Sequence, residues 1–155
     1  MRGTVLAQQV RTKPLAIEAL QARIPEIQHL LLNWGYDRVS VTFGYGSKLP
    51  MNQLWVPTEI DTSSLGVFID DASRKGIFEL GQSDLHIEDR QETLEFRLCH
   101  ESDIHFESID QGLVEQVITL WRGCGLGLNV STGPKGSALP KVWTPIDPPP
   151  GDSRN

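Results

Sequence analysis

The chain has 155 residues, enough for one domain with a single hydrophobic core, which at this size buries roughly 68–70% of the unfolded surface. Its formal charge is -6, from 20 acidic and 14 basic residues, with a pI of about 5.1. That balance excludes the basic footprint that nonspecific nucleic-acid and membrane-surface binders need, and two cysteines are too few for a disulfide scaffold.

Residues 1–13 carry little periodicity and are expected to form a loosely ordered lead-in, with no apolar stretch resembling a signal peptide. From Pro14 the pattern turns helical. Ile17, Leu20, Ile24, Ile27, Leu31 and Trp34 recur at steps of three and four, one apolar stripe along a helix that Gly35 ends. Pro25 lies inside the stripe, so the helix either kinks there or splits in two. Arg38–Phe43 alternates strictly between polar and apolar, as a half-buried strand does. Gln53–Val56 reads as a second strand ending at Pro57. Asp61–Ser64 offers N-cap residues for a short helix with Leu65, Phe68, Ile69 and Ala72 on its buried side, closed by Gly76.

Gly76–Ile109 is the densest stretch, with three of the four histidines, Cys99 and many carboxylates. Alternation over 84–88, 94–98 and 103–107 predicts a three-stranded meander. Leu85, Ile87, Leu94, Phe96, Leu98, Ile104 and Phe106 take one face, and His86, Glu95, Arg97, Cys99, His105 and Glu107 the other. A four-residue turn over Asp89–Glu92 would set His86 opposite Glu95. A five-residue second loop would set Arg97 opposite His105, and a three-residue loop would set it opposite Glu107. Asp110 then caps a third helix with Leu113, Val114, Val117, Ile118 and Trp121 inward, and Leu126–Val130 alternates as a last strand. From Ser131 the composition shifts to Gly, Pro, Ser and Lys, and 132–155 reads as an extended tail partly pinned through Trp143 and its apolar neighbours.

The expected architecture is therefore a single α+β domain over 14–131. A mostly antiparallel sheet of about five to six strands packs against three helices, in the order αββαβββαβ.

The polar face of the meander is the candidate site. His86, Glu95, Arg97, Cys99, His105 and Glu107 carry the side chains of a metal or acid/base centre. No pair has a recognised ligand spacing, and cross-strand charge pairing accounts for the same residues, so no cofactor is expected. A Cys99–His105 nucleophile and base would need a depressed thiol pKa, which neighbouring acids oppose. Gly123–Gly127 follows a helix and precedes a strand, the reverse of a dinucleotide fingerprint. Trp55 and Trp143 are candidate interface anchors. The expected function is a non-catalytic protein-interaction domain, a small acidic cytoplasmic binding protein of the immunity or accessory type. Its partner would be a basic protein, with neither nucleic acid nor membrane involved. The alternatives are a small metal-dependent or cysteine/histidine hydrolase using the polar face, and a structural subunit self-assembling through the Ile17–Trp34 stripe.

Overall fold

The computed structural model describes residues 5–135 and 141–149. Its strands are β1 (Leu6–Thr12), β2 (Arg38–Phe43), β3 (Thr58–Asp61), β4 (Leu85–Glu88), β5 (Leu94–Leu98), β6 (Ile104–Ser108), β7 (Leu128–Pro134) and β8 (Thr144–Ile146). Its helices are α1 (Ile17–Asn33), α2 (Leu65–Arg74) and α3 (Gln111–Gly123). The eight strands form one sheet, ordered β3-β2-β4-β5-β6-β1-β7-β8, and every neighbouring pair is antiparallel. The α+β class and the three helices match expectation, and the sheet is wider than the five to six strands expected.

Both extra strands lie in segments that lack sequence periodicity. The expected lead-in, 1–13, contains β1, which sits between β6 and β7 in the middle of the sheet. The expected tail contains the end of β7 and all of β8. A third correction concerns Gln53–Val56, which is turn rather than strand. Trp55 there has φ +63°, outside the extended region, and the strand forms after Pro57, as β3.

Alternation places Val10, Val41, Ile87, Phe96 and Phe106 side by side across five strands, all buried, and the helices pack on this face. Helix α1 runs through Pro25 as one element and buries Leu20, Ile27 and Leu31, so most of its stripe is spent on the chain's own core. Its Trp34 lies over Phe96 and Phe106, at centroid distances of 6.1 and 5.6 Å. Phe68 of α2 stacks on Phe43 at 5.8 Å. Gln28 joins α1 to α2, accepting from Gly66 N (2.8 Å) and donating to Ser63 O (3.1 Å). Trp121 of α3 is fully buried and donates its indole N–H to Glu26 of α1 at 2.9 Å. Asp110 caps α3 as expected, accepting from Gly112 N and Leu113 N.

The two edges are short and polar. β3 carries Glu59 and Asp61 bound to Arg38, with Arg90 also on Glu59, and three-residue β8 holds Pro145. Charge and proline at an edge discourage pairing with another chain. No helix among the described residues is long and apolar enough to cross a membrane.

Candidate functional site

The second face of the sheet carries the predicted polar residues, and the register sorts them into two ranks. Glu88, Glu95 and Glu107 are direct cross-strand partners on β4, β5 and β6. One pleat along, His86, Arg97, His105 and Arg11 stand abreast on β4, β5, β6 and β1. An acidic rank therefore lies beside a basic one.

This register corrects the first turn. His86 faces Arg97, not Glu95, because six residues rather than four separate the last paired positions, Glu88 and Glu95. Asp89 accounts for the length. Its buried carboxylate accepts from Thr93 N (2.7 Å), Leu94 N (3.0 Å) and the Thr93 hydroxyl, while Glu92 takes φ +56°. An aspartate closing its own turn in this way holds a loop that residue count alone does not predict. The second connection has the five-residue form, with Arg97 opposite His105.

His86 and Glu95 still meet diagonally, Nδ1 to Oε1 at 3.3 Å. Burial pushes the Glu95 carboxyl up, but the His86 hydrogen bond and the charges of His86, Arg97 and Lys135 outweigh it and leave the group below its ordinary value. Glu88 goes the other way, raised by burial and by the carboxylates of Glu95 and Glu92. Arg97 donates from Nη2 to His105 Nδ1 at 3.1 Å, so the His105 proton lies on Nε2, which donates to Asp103 at 2.8 Å. The Asp103 carboxyl, pushed up by burial, is pulled below its ordinary value by that bond and by the imidazole.

Trp55 and Trp143 bound the basic rank. Trp55 is 58% exposed and tilts over His86 with centroids 5.6 Å apart. Gly44 makes room for it, since a Cβ there would lie 2.6 Å from the indole. Trp143 lies on the Arg11 guanidinium at 4.0 Å and turns an edge to His105. Both rings thus cover parts of the polar face. Beside Trp55 the 44–57 loop also exposes Tyr45, Met51 and Val56.

Cys99 sits at the end of β5, where two clusters of ligand-type side chains meet. Asp84, Cys99 and His100 form one, and Cys99, Asp103 and His105 the other, each with its ligand atoms within 4.8 Å of one another. Burial pushes the Cys99 thiol up to about 12, with the carboxylates of Asp103 and Asp84 adding to the rise. A thiol raised in this way is a slow nucleophile at neutral pH. Grooves elsewhere are lined by Leu6, Gln8 and Ile109, by Lys48, Ile77 and Glu79, and by Phe43, Leu49 and Val56, and none of these three takes in the histidines.

The site residues named from sequence therefore fall into three places. Glu95 and Glu107 join the acidic rank, His86, Arg97 and His105 the basic rank, and Cys99 the turn cluster. Arg11 was missed because β1 was missed. His100 and Asp84 were missed as site residues because the HESD run reads as a turn, and only the register brings Asp84 back beside it. No protein-family model, curated protein or solved structure matches the chain.

Proposed function

We propose that the chain is a non-catalytic protein-interaction domain that presents the acidic rank of its sheet to a basic segment of a partner protein. The observation that carries this reading is the row Glu88, Glu95 and Glu107, three carboxylates abreast on a face whose opposite side holds the helices. Like charges directly opposite on neighbouring strands are destabilising, and Glu88, whose carboxyl the row raises, works against folding at neutral pH. Strands stand about 4.8 Å apart, which spreads the three carboxylates over roughly 10 Å. A Lys- or Arg-bearing segment laid across them relieves the repulsion and forms charge-assisted hydrogen bonds. The chain's net charge of -6 adds long-range attraction for such a partner. The raised Cys99 thiol supports a binding role over the cysteine/histidine hydrolase alternative.

Fluorescence anisotropy with a labelled Lys/Arg-rich peptide tests the reading. Binding is expected to weaken steeply between low and physiological salt, and to fall at least about tenfold when Glu95→Lys and Glu107→Lys are combined. Affinity that ignores salt, or survives the double charge reversal, overturns the acidic-face interaction.

A further inference from the structure

We propose that Asp84, Cys99, His100 and Asp103 form a binding site for one divalent transition metal, zinc before others, at the turn between β5 and β6. Each residue is delivered by a separate feature of the backbone. Cys99 ends β5, and its N–H donates to Asp103 O (3.0 Å), which closes the five-residue turn. Ser102 takes φ +65° to complete that turn. Asp84 enters β4 next door and accepts at Oδ1 from the His100 backbone N–H (2.7 Å) and from His100 Nδ1 (2.8 Å). His100 Nδ1 is also 3.9 Å from Cys99 Sγ.

Sulfur, imidazole and carboxylate together are the donor set of zinc. Bonds of about 2.0–2.3 Å in a tetrahedral site put ligand atoms roughly 3.3–3.8 Å apart. The Asp84, Cys99 and His100 atoms already lie within 4.8 Å of one another, and a carboxylate oxygen of Asp103 lies within the same distance of the sulfur. As the metal enters, the Asp84 Oδ1–His100 Nδ1 pair opens from 2.8 Å and the His100 Nδ1–Cys99 Sγ pair closes from 3.9 Å.

The fourth ligand is identified by an orphan. Asp103 is 7% exposed, and its Oδ1 is buried with no hydrogen-bond partner. A buried carboxylate oxygen without a partner is costly, and a cation satisfies it. Its other oxygen is held by His105 Nε2, and His105 by Arg97. That chain orients Asp103 and leaves Oδ1 free. The alternative ligand set, Cys99 with Asp103 and His105, requires the ring proton of His105 on Nδ1, facing the Arg97 donor. At His100 the metal takes the place of the Nδ1 proton shared with Asp84, which is itself a ligand, and that proton moves to Nε2. With Nδ1 on the metal, its Nε2–H points toward the Glu101 carboxylate, 3.7 Å away. Metal-bound histidines commonly hold their second nitrogen in this way.

Cobalt(II) titration of the full chain carrying Cys124→Ser, which removes the second, exposed thiol, tests the site. One equivalent is expected to produce a thiolate-to-cobalt charge-transfer band that zinc abolishes by displacement. Cys99→Ser removes the band. His100→Gln and Asp103→Asn weaken binding by more than about 100-fold. His105→Gln, which removes only a positioning partner, costs about 10–100-fold. Where a variant fails to fold by circular dichroism, protection of the parent protein decides: zinc slows alkylation of Cys99 and a chelator restores it. Absence of both band and protection overturns the proposal, as does binding that survives Cys99→Ser. Abolition by His105→Gln with no effect of His100→Gln overturns this ligand set.

Discussion

Glu88 and Glu95 face each other on β4 and β5, yet the fold treats them oppositely. The Glu88 carboxyl is raised in the folded state. Its contribution to stability is therefore full below the unfolded value and is lost as pH rises through the folded one, so at neutral pH its charge strains the sheet. Glu95 is lowered, so its contribution is present above the unfolded value and is lost as pH falls through the folded one. Glu88→Gln is expected to stabilise the protein by about 0.5 kcal/mol near neutral pH, with the gain vanishing near pH ~4. Glu95→Gln is expected to destabilise it by ~1 kcal/mol near neutral pH, and by less in acid. Urea midpoints of both variants at the two pH values check this, and shifts of the same sign would show that the rank acts as a single undivided charge. The sequence showed that these glutamates share a face. It did not show that they stand abreast, because alternation carries the face of a residue and not its cross-strand partner.

At the scale of elements, the same limit explains which turn was legible. The β5–β6 turn was open between two lengths, both of which preserve the faces, and backbone closure at Cys99 and Asp103 chose between them. The β4–β5 turn was misjudged because its length rests on one side chain. Asp89 is buried and holds two backbone N–H groups and a hydroxyl. Asp89→Ala leaves those donors without their acceptor in a closed loop, and unmet buried donors cost about 1–3 kcal/mol each. A loss of at least ~2 kcal/mol in urea unfolding is expected. Asp110→Ala, which removes only the cap of α3, is expected to cost ~1 kcal/mol. Equal losses from the two would mean that Asp89 does no more than an ordinary cap. Helix α3 and its cap were readable in advance because a helix is a local object: its N-cap Asp110, its stripe and its terminal Gly123 lie within one short run of sequence.

The molecule as a whole is closed by its two ends, and they carry unequal weight. β1 lies between β6 and β7 and pairs residues near the start of the chain, such as Gln8, with residues far along it, such as Ser108 and Thr132. Its central position explains why it escaped pattern reading. Ala7, Gln9, Val10 and Thr12 are all buried, so neither strict alternation nor an apolar run marks it, and its polar side chains divide between the faces, Gln9 and Arg11 on the polar one and Gln8 and Thr12 on that of Val10. A chain beginning at Lys13 would leave β6 and β7 with unpaired edges and remove Val10 from between Phe106 and Val130. Lost backbone pairing along both neighbours is comparable with the roughly 5–15 kcal/mol that holds a domain together, so this truncation is expected to abolish cooperative unfolding. A chain stopping before Lys141 loses β8 at the sheet edge and the Trp143–Arg11 stack. Three edge pairs at about 0.2–1 kcal/mol each and one exposed cation–π contact of about 0.5–1 kcal/mol are what it gives up. It is expected to fold, with a midpoint lowered by the equivalent of ~1–4 kcal/mol and with His105 more exposed to solvent. Calorimetry of the two truncations separates the cases. A cooperative transition in the first, or none in the second, would reverse the roles assigned to the ends.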